Sequence, residues 1–143
     1  MRPVTPSHTS GDYGPEPFVV NIARAAEQNP FYRKTLWTGS HLQLTLMCIP
    51  PCGEIGLEVH PDNDQFLRLE SGCGTVYMGP RRDLLPFCRP VGGGDAIFVP
   101  AGTWHNLVNT GKMPLKLYSI YAPTHHPRGT VHRTKAESDA RGD

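Results

Sequence analysis

Between Phe18 and Pro123, glycine and proline cut the chain into short runs in which apolar and polar residues alternate. That period of two most restricts the fold, because it matches the two faces of a β-strand and not the face of a helix. In HLQLTLMCI, Leu42, Leu44 and Leu46 share one face while Gln43 and Thr45 share the other. FYRKTLWT precedes it, and Thr38-Gly39-Ser40 between the two reads as a hairpin turn. FVVNI near the start, then EIGLEVH, DQFLRLE, GTVYMG, DAIFVP, TWHNLVN and PLKLYSIYAP, add further strands. One helix is expected, IARAAEQN, ended by Pro30. Fifteen glycines and fifteen prolines suit the turns of such a chain and would break a helical bundle. The predicted fold class is all-β, an antiparallel sandwich or barrel.

A length of 143 residues allows one domain with a real core, expected over residues 17 to 125. Residues 1 to 16, rich in Pro, Gly, Ser and Thr, are expected to form a disordered tail. Residues 126 to 143 read as a polar tail that frays or forms a short surface helix. The net charge of +1 leaves no basic footprint for nucleic acid or an anionic membrane. No apolar run approaches the roughly 20 residues of a spanning helix. The opening segment lacks the apolar stretch of a secretory signal, so a cytoplasmic location is expected. Cys48, Cys52, Cys73 and Cys88 are then reduced thiols. CIPPC has no second cysteine pair to complete a zinc ribbon, and Cys73 has no neighbouring base to make it a nucleophile.

The most specific signal is GDAIFVPAGTWHNLVN, from Gly94 to Asn109. Its Gly94, Pro100, Gly102, His105 and Asn109 stand at the spacings of the second sequence motif of the cupin superfamily, at every position. From Phe18 to Pro123 the chain resembles a small single-domain cupin of the bacterial type. The resemblance implies a double-stranded β-helix, or jelly-roll, barrel with short terminal extensions and one metal inside. The first cupin motif has the form G, H-x-H, three or four residues, E, six residues, G, and must lie in GLEVHPDNDQFLRLESG. Placing His60 first puts Asp62 second but drops the glutamate position onto Phe66 or Leu67. Placing His60 second puts Glu58 first and Gln65 at the glutamate position, with Gly72 after the expected interval and Gly53 opening the motif one residue early. The second alignment is the better one.

The ligand positions carried over by this resemblance are Glu58, His60, Gln65 and His105. Glu58 and His60 are two apart, so on a strand they face the same way. A turn through Pro61 and Asn63 brings Gln65 back, and Asp62, Asn63 and Asp64 serve as turn residues. Two imidazoles, one carboxylate and one amide oxygen suit one divalent transition metal (Mn, Fe, Ni or Zn) rather than calcium or structural zinc. Cupin phosphomannose isomerases are similar in using Gln, His, Glu and His, with the glutamine and glutamate exchanged. The resemblance therefore points to a metal-dependent enzyme acting on a small polar metabolite, sugar- or sugar-phosphate-isomerase-like. A cupin dioxygenase is the rival chemistry, and a non-catalytic binding or sensing cupin is the alternative class. The run APTHHPRGTVH can fold over the barrel mouth, with His125, His126 and His132 as a polar wall. A homodimer is expected through the edges of FVVNI and FYRKTLWT, burying Phe18, Val20 and Trp37. In the monomer, Arg33 and Lys34 would guard that edge instead.

Overall fold

The computed structural model describes residues 11 to 141, and every pairing between its named strands is antiparallel. Helix α1 (Ile22–Gln28) leads into β1 (Arg33–Thr38) and β2 (Gln43–Ile49). Then follow β3 (Asp64–Ser71), β4 (Cys73–Gly79), β5 (Phe87–Gly92) and β6 (Ala96–Val99). The chain ends with β7 (Trp104–Asn109), β8 (Leu115–Ala122), β9 (Val131–His132) and α2 (Lys135–Ala140). A six-stranded sheet in the order β6-β3-β8-β2-β1-β9 faces a three-stranded sheet in the order β5-β4-β7. This is the jelly-roll barrel that the resemblance implied.

The helix forms where expected. Asn21 caps it, its side chain accepting from Arg24 N, and the chain leaves it just before Pro30. α1 lies on the outer face of the large sheet, where Phe18, Ile22 and Ala26 pack with Leu36, Leu44, Leu46 and Tyr118. That contact decides the orientation of β2. Its leucines turn outward under the helix, while Gln43, Thr45, Met47 and Ile49 fill the barrel.

Register then sorts the interior into two ends. Ile49 pairs with Leu115, and Met47 with Leu117, which pairs in turn with Leu69. These residues, with Val76, Ile97 and Leu107, make an apolar end. Further along the same strands, Thr35 pairs with Thr45 and Thr45 with Ser119, while Tyr121 lies between Gln43 and Gln65. The other end is therefore polar, although it is as deeply buried.

Several expectations are corrected. FVVNI is not a strand: Val19 is 97% exposed, and Phe18 stacks on Tyr13 at 4.6 Å as the chain approaches α1. β1 is instead paired on its outer side by β9, which reading the last residues as a tail had missed. The edge proposed for dimer pairing is thus already occupied, and Arg33 is buried rather than guarding it. β5 was also missed, because Pro90 within it argues against a strand; at a sheet edge the lost N–H costs nothing. EIGLEVH is an extended segment that meets β7 through the bridges Glu54–Val108 and Glu58–His105. α2 is the short surface helix expected near the end of the chain, capped by Thr134. Among the described residues, no helix is long and apolar enough to cross a membrane.

Residues 1 to 10 of the expected tail lie outside the described residues, but the tail reading fails from Gly11 onward. Asp12 is 5% exposed and accepts from Gly14 N, Thr38 N, Thr38 Oγ1 and Gly129 N. It thereby joins the N-terminal residues, the β1–β2 hairpin and the segment before β9. Burial opposes its charge, but these donors, with Thr35, hold its carboxyl below the usual range. A depressed carboxylate stabilises the fold above its unfolded pKa and loses that contribution as pH falls. Asp12→Ala should destabilise by about 2–4 kcal/mol at neutral pH, the difference shrinking below about pH 4. Urea unfolding at the two pH values checks both the size and the sign.

Candidate metal centre

The two motifs are fastened together by their backbones. Glu58 N donates to His105 O at 3.0 Å, and His105 N donates to Glu58 O at 2.9 Å. Such a reciprocal pair sets two residues directly opposite each other, so both side chains leave on the same face. Gly102 N donates to His60 O at 2.9 Å, which places the next candidate ligand beside them. Gly102 adopts φ +81°, a left-handed conformation that a side chain resists, so this turn calls for glycine. Asn106 on the outer face of β7 accepts from Gly56 N and donates to Glu54, holding the incoming segment. Asn109 closes the β7–β8 turn, donating to Ile49 O and Met113 O and accepting from Gly111 N.

The result is a carboxylate between two imidazoles. Glu58 Oε2 lies 3.2 Å from His60 Nε2 and 3.4 Å from His105 Nε2. One ligand atom from each of the three falls within 4.8 Å of the others. These are ion-pair distances without hydrogen-bond geometry, and each of the three atoms is buried with no hydrogen-bond partner. His105 Nδ1 is 2.9 Å from Thr103 O; a carbonyl can only accept, so Nδ1 carries a proton and Nε2 is the nitrogen that faces Glu58. Burial alone would raise the pKa of Glu58, but the adjacent His105 and His60 outweigh it and hold the carboxylate ionised far below its usual range.

Gln65, the fourth predicted position, faces the same interior from β3 and is 3% exposed. Its Nε2 donates to Ser119 Oγ at 2.7 Å, leaving Oε1 buried and unpartnered. Among the turn residues, Asp62 is exposed, Asp64 accepts from Ala101 N, and Asn63 donates to Pro123 O and Thr124 O.

The segment after β8 folds back over this end. His125 packs edge-on to His60 with ring centroids 4.3 Å apart, and both line a cavity of about 550 Å³ with Glu58, Arg82 and Lys135. His126 is buried against Tyr121, its Nε2 3.4 Å from the phenol oxygen. Burial, with Arg33 nearby, depresses the pKa of His126 to about 2 and keeps it neutral. His132 lies away from the mouth, beside Arg33. Two residues position this wall in a way the sequence does not show, Gln43 and Asn63, the latter read there only as a turn residue. Gln43 accepts from His125 N and His126 N and donates to His126 O and Thr38 Oγ1. Its one visible signal was a glutamine amid hydrophobic alternation, which reads equally well as a solvent-facing residue. Gln43→Ala should cost about 2–3 kcal/mol by stranding these buried groups. Hydrogen exchange should show His125 and His126 amides opening faster with the rest of β2 unchanged.

An antiparallel jelly-roll barrel with a carboxylate and two imidazoles converging at one end defines a class, and comparison with known proteins places the chain within it. The family model described as Cupin domain matches residues 45–121. The Bacillus subtilis (strain 168) protein YrkC is 61% identical over 132 residues, covering 92% of this chain and 71% of that one. The Acanthamoeba polyphaga mimivirus protein L612 is 38% identical over 126 residues, 87% of this chain and 77% of the other. The crystal structure of BH2720 from Bacillus halodurans superimposes with a TM-score of 0.90 at 58% identity, covering 91% of this chain and 98% of that one. The chain belongs to the cupin family.

Proposed function

We propose that this cupin is a metal-dependent enzyme acting on a small polar metabolite. Glu58, His60 and His105 would hold one divalent transition metal, Mn, Fe, Ni or Zn, with the amide oxygen of Gln65 turned toward the same space. The observation that carries the reading is chemical. Glu58 Oε2, His60 Nε2, Gln65 Oε1 and His105 Nε2 are all buried without a hydrogen-bond partner, one at each motif position. Buried polar atoms left unpaired are costly, and a cation among them would satisfy all four together. The donor set of two nitrogens and two oxygens suits a borderline metal, and His105 already has the supporting carbonyl that such ligands use.

A metal there would supply Lewis acidity, polarising a carbonyl or chelating adjacent oxygens. The chain's own residues supply the rest. Glu58 is the one anionic group among the four candidate ligands, and His125 and Arg82 wall a cavity large enough for a sugar-sized molecule. Isomerase-like chemistry on a sugar or sugar phosphate is the finer form of the proposal, supported by the ligand types. A binding cupin would share the metal and lack turnover, so a metabolite screen with and without the metal separates the two.

Elemental analysis should find about one transition-metal ion per chain, lost in His60→Ala and in His105→Ala. Glu58→Ala should weaken metal affinity by more than the roughly 10- to 100-fold seen when only a supporting partner is removed. Asp62→Ala should leave it unchanged. Metal content indifferent to both histidine changes would defeat the assignment, and the reverse ranking of Glu58 and Asp62 would restore the other alignment.

A further inference from the structure

Among the described residues, Arg33 is a buried cation that no carboxylate answers. It is 2% exposed, and among the described residues no Asp or Glu lies at ion-pair distance from its guanidinium. Nη1 donates to Ser138 Oγ at 2.6 Å and lies 3.4 Å from His132 Nδ1, while the guanidinium sits 5.3 Å from the centre of the Tyr32 ring. Nε is buried with no acceptor. A guanidinium cannot shed its charge as a buried lysine can, so its position must be balanced by negative charge from elsewhere.

Its surroundings connect it to the candidate centre. Tyr121, which interacts with Arg33, packs edge-on to His60 with centroids 5.6 Å apart. The hydroxyl of Tyr32 donates to Glu54 O and Ile55 O, in the segment that delivers Glu58. Lys135 and Asp139, on the same helix as Ser138, line the cavity and pair with each other at 2.9 Å, so they add no net charge. Glu54 and Arg82, which also line the cavity, offset each other in charge, so with a divalent ion in place one guanidinium and two metal charges stand against the carboxylate of Glu58. The interior is left strongly positive, in a setting where water screens it poorly.

We propose that Arg33 is a specificity-determining residue that makes this centre select an anionic oxygen ligand, a small carboxylate or an enediolate, whose charge is the missing counter-charge of the guanidinium. This rests on the metal reading above. Arg33 acts through its charge, from behind the cavity, and is a positioning residue rather than a catalytic one.

The test uses the full-length protein loaded with cobalt(II), its visible spectrum followed during titration with formate and, separately, with neutral imidazole, at fixed ionic strength. Arg33→Met removes the charge, and Arg33→Lys keeps it. Ser138→Asp places a carboxylate against the guanidinium and neutralises it in place. Formate affinity should fall by about tenfold or more in Arg33→Met and in Ser138→Asp and stay within about threefold in Arg33→Lys, with imidazole affinity unchanged throughout. Should Arg33→Met fail to fold, Ser138→Asp decides the question. Formate binding indifferent to removal or neutralisation of the charge overturns this inference alone, as does equal loss of formate and imidazole, the mark of a structural role. A wild-type protein that takes up no cobalt overturns the metal reading and this inference with it.

Discussion

The reciprocal backbone pair between Glu58 and His105 joins two stretches of sequence that are far apart in the chain and that also meet at the Glu54–Val108 bridge. Once those two residues exchange N–H and C=O groups, the side chains of Glu58 and His105 must emerge side by side. The Gly102–His60 bond then adds the second imidazole from the same turn. Hydrogen bonds between main-chain groups are insensitive to which side chains stand there. The frame therefore holds the positions constant while the donor types remain free to vary, and the chemistry of a particular chain is written only in the side chains.

The interior is built to receive that chemistry at one end only. Along β2 the inward residues run Ile49, Met47, Thr45, Gln43; along β8 they run Leu115, Leu117, Ser119, Tyr121. The apolar half supplies the burial that stabilises the barrel, and the polar half must find partners or lose stability. Gln43 finds them in the main chain of His125 and His126, which is how the C-terminal segment comes to wall the cavity. Closing the barrel mouth and satisfying a buried glutamine are thus one event.

The fold was legible because alternation and turn residues are local signals, and the second motif carried His105 within its own strand. Alignment of the first motif depended on its distance to Gly72. That glycine has φ +93°, and an added Cβ would come 2.8 Å from Pro114 O, so the spacing reflects a real packing demand. What stayed hidden depended on distant contacts. FVVNI has a strand's composition, but its outer position beside α1 leaves nothing to pair with. β9 is two residues long and carries no periodicity. Arg33 looked like an edge charge because its burial is created by Ser138 and His132, about a hundred residues away in the chain. Asp12 looked like part of a tail for the same reason.

The exchange of carboxylate and amide between positions 58 and 65 has its own structural logic. A carboxylate has no proton to place, so Glu58 can stand between two imidazoles with nothing else to bond. An amide in the same place would turn donors toward one of those nitrogens and need an acceptor there. At position 65 the acceptor exists: Ser119, from the neighbouring strand, takes the Nε2 donor at 2.7 Å and so fixes the amide's direction. The glutamine is then oriented, with its oxygen left for another partner. A glutamate at 65 would instead accept from the Ser119 hydroxyl and bring its charge beside Tyr121 rather than between the histidines. Ser119 is therefore the residue that makes this arrangement self-consistent. The pair Gln65–Ser119 and the triad Glu58–His60–His105 are two parts of a single choice about where the negative charge among the four candidate ligands should lie.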